Sequence, residues 1–220
     1  MAGNYDDDIE IIYWGDDETD EIVNSSKFNK RKRKQEAFDW RKEIVGFIKL
    51  MIIAVVIAVA INNLVIINAT VPTSSMENTI HEKSRMIGYR LAYVLSSPKR
   101  GDIIIFKYPD NPKENFVKRV IGLPGEYVEI KSGVVYIYKN GEDSEPEKLE
   151  EDYVYFEDGK VDLNGDFPKT LVPEESYFVL GDNRNNSKDS RYWTTTNFVR
   201  EDEILGEAIF SYYPSLEILK

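Results

Sequence analysis

Cysteine is absent from this 220-residue chain, and histidine occurs once. The first absence excludes disulfides, thiolate metal sites and a cysteine nucleophile; it does not identify a compartment. The second excludes a histidine-rich metal site and leaves His81 as the sole candidate base for a Ser-His-Asp triad. Neither a metal nor an organic cofactor is expected. The formal net charge of −11 argues against a nucleic-acid binder, which needs a basic face. Basic residues are missing altogether from positions 1–24, where Asp6, Asp7, Asp8, Glu10, Asp16, Asp17, Glu18, Asp20 and Glu21 accumulate. Lys27, Lys30, Arg31, Lys32, Arg33 and Lys34 follow, with Arg41 and Lys42 behind them. Charge blocks of this kind are solvated, so residues 1–43 are expected to form a disordered tail, acidic and then basic.

What the chain does have is a long apolar run. From Ile44 to Ile67 only Gly46, Lys49, Asn62 and Asn63 interrupt it. As a helix these residues reach roughly 36 Å at 1.5 Å each, enough to cross a hydrocarbon core of about 30 Å. Lys49 lies near one end, where its ammonium can snorkel to the interface. A buried core helix is rarely so uniformly apolar. A cleaved signal peptide would fit Leu50 to Ile61 by length, but a long charged segment precedes that stretch and no small-x-small site follows. Residues 44–67 therefore read as a retained signal anchor. Its basic flank precedes it, which places the N-terminus in the cytoplasm and residues 68–220 outside.

Beyond the anchor, short runs rich in branched and aromatic residues alternate with turn signals. Residues 102–108 (DIIIFKY), 115–123, 126–131, 134–140, 176–181 and 207–214 all have this character. Leu123-Pro-Gly-Glu126 reads as a turn, and Asn140-Gly141 as a hairpin signal. The fold class is mostly β: one N-terminal transmembrane helix followed by an antiparallel sheet domain. The acidic stretch 139–175 reads as a small cap-like excursion, with a plain surface loop as the alternative.

Two serines, Ser74 and Ser75, sit just past the anchor in the polar stretch 68–83. A nucleophilic serine needs a base. His81 is six residues from Ser75 and has no partner acid indicated by spacing, so it reads as a structural histidine. The other base available is a lysine whose amine is kept neutral by burial. In the run 115–123, strand alternation puts Phe116, Lys118 and Val120 on one face and Val117, Arg119 and Ile121 on the other. Either cation could lie at a sheet surface. Lysine can lose its proton and arginine cannot, so Lys118 is the candidate of the two.

Four segments carry a resemblance to a known family: VPTSSMENTI (71–80), RGDIIIFKYP (100–109), FVKRVIGLPGE (116–126) and FVLGDNRNNSKDSRYW (178–193). In order and spacing they resemble type I signal peptidases, membrane-anchored serine proteases that remove signal peptides from exported proteins. The resemblance implies Ser75 as nucleophile, Lys118 as general base, and Thr73 with the Ser75 N–H as oxyanion hole. It also implies that Ser187 orients the lysine, and that Arg119, Asp182, Asp189 and Arg191 give structural support. Val71, Met76, Ile80, Phe116 and Val117 would line the substrate pockets. Two departures stand out. Ser74 occupies a position where glycine is common in the family, and TTTNFV (194–199) follows Trp193 where glycine often stands.

Ser75 lies within about 25 Å of the apolar run even with the linker fully extended. A precursor's cleavage site, with small residues at −1 and −3, emerges at the same height. The tether then raises effective concentration. Every second side chain being read implies an extended substrate along a strand edge. The implied partners are signal-peptide-bearing precursors and the lipid bilayer, with room for contact with the export machinery and none for nucleic acid. Two alternatives stand beside this. One is a different Ser/Lys protease, resembling self-cleaving bacterial repressors, for whose DNA-binding domain residues 1–43 are too short and too acidic. The other is a non-enzymatic anchored β-domain that binds envelope partners.

Overall fold

The computed structural model describes residues 39–156, 159–160 and 165–219. The greater part of the tail expected over 1–43 lies outside the described residues. Helix α1 (Trp40–Leu64) opens at Asp39, whose carboxylate accepts the N–H groups of Arg41 at 3.2 Å and Lys42 at 3.4 Å. None of its 25 residues is buried, and it is long and apolar enough to cross a bilayer. It begins at Trp40 and ends at Leu64, displaced toward the N-terminus from the expected 44–67. The shift at the far end has a local cause. Asn62 and Asn63 weaken the last turn, and Val65, Ile66 and Ile67 are β-branched, so Ile66 already belongs to a strand.

Twelve strands follow: β1 (Ile66–Thr70), β2 (Arg85–Tyr89), β3 (Ile103–Tyr108), β4 (Asn111–Gly122), β5 (Tyr127–Lys131), β6 (Val134–Tyr138), β7 (Glu147–Lys148), β8 (Phe167–Leu171), β9 (Ser176–Leu180), β10 (Val199–Arg200), β11 (Ile204–Tyr213) and β12 (Glu217–Ile218). The larger sheet runs β1-β2-β11-β3-β4-β9-β10, with β12 added to β11; the smaller runs β7-β6-β5-β8. Every pairing is antiparallel. The mostly β, antiparallel fold class read from the sequence is the fold observed.

Strand β3 explains why the larger sheet is solid. Ile103 and Ile105 enter one buried cluster with Ile67, Val71, Met76, Ile80, Met86, Ala208 and Leu219. Ile104, Phe106 and Tyr108 enter another with Val120, Tyr177, Val179, Trp193 and Val199. A strand covered on both faces needs an unbroken apolar run, which DIIIFKY supplies. Strand β9 splits in the same way: Tyr177 and Val179 join the second cluster, Phe178 and Leu180 a third. That third cluster, with Ile121, Val128, Ile130, Val135, Ile137, Phe167 and Val172, fills the space under the smaller sheet.

The smaller sheet draws on two parts of the chain. The excursion at 139–175 contributes only β7 and β8, and the hairpin β5–β6 forms its centre. That hairpin turns through Ser132 (φ 52°) and Gly133 (φ 78°), a two-residue turn whose left-handed pair suits strand twist. The Asn140-Gly141 pair opens the longer β6–β7 connection instead. The Leu123–Glu126 turn forms as expected, with Gly125 at φ 79° and the Glu126 N–H donating to the Leu123 carbonyl at 3.1 Å.

Gly206 sits where β11 slips in register against β3. A Cβ there would lie 2.4 Å from the Tyr89 carbonyl oxygen and 2.9 Å from the Arg90 Cα, both main-chain atoms that cannot swing aside. Gly206→Ala is expected to cost ~1–3 kcal/mol, seen as a lower urea midpoint for the full chain in detergent at unchanged m-value.

Candidate active site

The segment carrying Ser75, the expected nucleophile, is held by its apolar members. After β1 the chain winds through a tight turn, with the N–H of Glu77 donating to the Ser74 carbonyl at 3.0 Å and that of Ile80 to the Met76 carbonyl at 2.7 Å. Met76 and Ile80 are fully enclosed in the first core cluster. These two side chains plug the turn into the sheet and leave Ser75, 7% exposed, facing β4.

Strand β4 supplies the partner. Lys118 is 4% exposed, and its Nζ lies 2.7 Å from Ser75 Oγ. The Val117 carbonyl accepts a second hydrogen bond from Nζ at 3.0 Å, and the Phe116 ring centroid lies 5.3 Å away. Burial disfavours the charged amine and brings its pKa down to about 8; the Asp189 and Asp182 carboxylates pull the other way. The Thr73 hydroxyl donates to Ser75 Oγ at 3.2 Å. An alcohol, an amine with a lowered pKa and a second hydroxyl therefore converge at one point.

The four charged residues expected as support form two buried pairs. Arg119 Nε donates to Asp182 Oδ1 at 2.9 Å and Arg119 Nη2 to Asp182 Oδ2 at 2.7 Å, while Arg119 Nη1 donates to the Gly101 carbonyl at 2.8 Å. The Thr79 hydroxyl donates to the same Asp182 carboxylate at 2.6 Å, so this pair reaches from β4 to the turn carrying Ser75. Arg191 donates to both Asp189 oxygens, at 2.8 and 2.9 Å, and the Gly181 N–H donates to Asp189 at 3.1 Å. Gly181 itself has no room for a side chain. A Cβ would meet Ser187 Oγ at 2.2 Å and the Ser75 carbonyl oxygen at 2.4 Å.

Several expected roles fall elsewhere. Ser187 Oγ is buried with no hydrogen-bond partner among the described residues, and it makes no bond to Lys118. Met76 and Ile80 serve the core and do not line the groove beside Ser75. His81 does have a partner acid: its Nδ1 lies 2.6 Å from Glu77 Oε1, four residues back on an exposed surface. Glu77 raises the histidine's pKa above the ordinary value, chiefly through that hydrogen bond. Ser74 Oγ accepts from the Asn186 side chain at 3.0 Å. The departure at 194–199 is settled by Asp110, which accepts the N–H groups of Thr194 at 3.1 Å and Thr195 at 2.8 Å. Sequence reasoning missed Thr79, Asn183 and the Arg184–Glu151 pair (2.5 Å), because each is joined only by the fold.

Thr70–Thr73, Ser75, Glu114–Lys118, Asn186 and Lys188 line a groove of about 490 Å³. Val71, Phe116 and Val117 are among these, as expected. Two strand edges flank it. Strand β1 is the last strand of its sheet, and β4 pairs with β9 only from Arg119 onward, which leaves its Asn115–Lys118 edge open. Among the described residues no group of three His, Cys, Asp or Glu side chains could hold a metal ion.

The chain is similar to known proteins over most of its length. The signal peptidase family, peptidase S26, matches residues 44–213. Signal peptidase I of Bacillus amyloliquefaciens is 37% identical over 200 residues, 89% of this chain and 98% of the relative. The probable signal peptidase I-2 of Synechocystis sp. is 38% identical over 175 residues, covering 76% and 72% respectively. A solved signal peptidase I from Enterococcus faecalis V583 is 39% identical, covering 51% of this chain and 97% of that one, with a TM-score of 0.39. The chain is a serine peptidase, and it belongs to the signal peptidase family, peptidase S26.

Proposed function

We propose that this chain removes signal peptides from exported precursors at the outer face of the membrane, with Ser75 as nucleophile and Lys118 as general base. The observation that carries this is the 2.7 Å approach of the buried Lys118 amine to Ser75 Oγ. Neutral Lys118 accepts the hydroxyl proton as Oγ forms a bond to the scissile carbonyl carbon. The resulting oxyanion takes hydrogen bonds from the Ser75 N–H and the Thr73 hydroxyl. Lys118, now an ammonium, gives its proton to the leaving nitrogen as the C–N bond breaks. Water then attacks the ester, losing its proton to the same amine, and Ser75 leaves with a proton restored.

The open edges of β1 and β4 suit an extended main chain, with Val71, Phe116 and Val117 reading small side chains. Helix α1 is read as the anchor. The basic residues before it assign the N-terminus to the cytoplasm and the β domain to the outside, where precursors emerge. The bilayer, and the export machinery that delivers precursors, are then the enzyme's immediate surroundings.

Three outcomes are expected for the full chain in proteoliposomes with a precursor substrate. Ser75→Ala lowers kcat/KM by at least about 10³-fold with the thermal melt preserved. Lys118→Met lowers it comparably, and its stability at pH 7 does not fall. The unfolded lysine, with a pKa of 10.5, binds a proton that the folded one, at about 8, holds less well. Folding therefore carries a cost at pH 7 that lessens as pH rises through that window, and methionine removes it. Finally, kcat/KM rises about tenfold per pH unit below roughly 8 and levels off above it. Full activity at pH 6 would contradict the lysine's role.

A further inference from the structure

Asn183 follows Asp182 and is 1% exposed, yet it belongs to neither buried ion pair. Its main-chain N–H donates to the Ser75 carbonyl at 3.1 Å. Its side-chain Nδ2 donates to the Ser74 carbonyl, also at 3.1 Å. One asparagine thus holds two successive carbonyls of the turn that carries the nucleophile. Among the described residues the Ser74 carbonyl has one other donor, the Glu77 N–H of its own turn, at 3.0 Å.

The peptide joining Ser74 to Ser75 is planar and trans. Its carbonyl and its N–H therefore point in opposite directions, and fixing one aims the other. The N–H in question is that of Ser75, the main-chain donor to the oxyanion in the reaction above. A carbonyl held only by the short ring to Glu77 can rotate with the turn. A second donor from a buried amide on another segment stops that rotation. The backbone that carries the amide is itself held, while the amide's Oδ1 is buried with no hydrogen-bond partner among the described residues. Asn183 bridges in parallel to Tyr155, the Tyr155 N–H donates to the Asp182 carbonyl at 2.8 Å, and the Arg184 N–H donates to the Tyr155 carbonyl at 3.0 Å. Turning the amide over would set its oxygen against the Ser74 oxygen and lose the bond.

We infer that Asn183 is a positioning residue of the oxyanion hole, aiming the Ser75 N–H by anchoring the Ser74 carbonyl. It does not touch substrate and does not act on Lys118. The inference rests on Ser75 being the nucleophile, and a Ser75→Ala chain that still cleaves would remove that foundation separately.

The test compares Asn183→Ala and Asn183→Asp in the full chain in proteoliposomes. Aspartate keeps the shape but replaces the donor with a carboxylate oxygen that repels the Ser74 carbonyl. Donors aimed at a transition-state charge act on kcat, so kcat is expected to fall about 10- to 100-fold, more for aspartate than alanine, with KM within twofold. A peptide aldehyde with alanine at the reacting end adds Ser75 Oγ to its carbonyl carbon and places the new oxygen in the hole. Its affinity should fall in the same ratio as kcat, while that of the corresponding non-reacting peptide amide should hold. With alanine the pH midpoint near 8 should not move; aspartate adds a carboxylate near Lys118 and is expected to raise it. Ser74→Ala, which loses only the Asn186 bond, should stay within threefold of the parent. Unchanged kcat, a loss confined to KM, aldehyde binding that does not follow kcat, or a pH midpoint shifted by the alanine substitution would each overturn the inference. So would a chain that folds with neither substitution, since Asn183 would then be a structural residue. If alanine alone prevents folding, the aspartate variant decides by kcat, KM and aldehyde binding.

Discussion

A primary amine removed from water is the constraint on which the rest of this site depends. Lys118 reaches that state at the last residue of the open edge of β4, which pairs with β3 there and with β9 from Arg119 onward. Desolvation alone would favour the neutral form, but Asp182 and Asp189 lie close enough to oppose it. Each of those carboxylates is met by two donors from one arginine. The pairing limits their pull on the lysine. The ion pairs beside Ser75 and Lys118 therefore brace the fold and also face the two carboxylates that oppose desolvation of the amine, whose effect is the larger.

The same carboxylates join segments far apart in sequence. Asp182 gathers Arg119 from β4 and Thr79 from the turn after Ser75, and Arg119 reaches the Gly101 carbonyl before β3. Asp189 closes the loop back on itself through the Gly181 N–H and Arg191. Because Gly181 lacks a side chain, the Ser75 carbonyl and Ser187 can approach within van der Waals distance of its backbone. The network is not fully satisfied: between Gly181 and Arg191 the buried Asn183 Oδ1 and Ser187 Oγ have no hydrogen-bond partner among the described residues.

Much of the fold was legible because burial dictates local pattern. An apolar run covered on both faces marked β3, and a long, almost uncharged apolar run marked α1. The limits lay where a residue's fate depends on partners remote in sequence. Alternation narrowed the base to Lys118 or Arg119, and lysine's ability to deprotonate chose between them. Nothing local showed that Met76 and Ile80 would go into the core while Val71, Phe116 and Val117 would border the groove. The Asn140-Gly141 pair read as a hairpin signal opens the β6–β7 connection, while the tight β5–β6 turn falls at Ser132-Gly133, between two runs that both read as strands. Glu77 could have been found as the partner of His81, since four residues is one helical turn and the segment winds locally. Asn183 could not, because its meaning comes from two carbonyls more than a hundred positions earlier.

The open edges of β1 and β4 have a consequence for turnover. An unpaired edge usually invites unwanted association, and proteins blunt it. Here it is kept bare beside the reactive alcohol. If an extended substrate pairs with it, hydrolysis cuts one covalent bond but leaves the main-chain ladder to the released fragment intact. That fragment would leave slowly into water, where its greasy half is poorly solvated. Its natural exit is sideways into lipid, which would make the surrounding bilayer the sink that clears the enzyme for its next cycle.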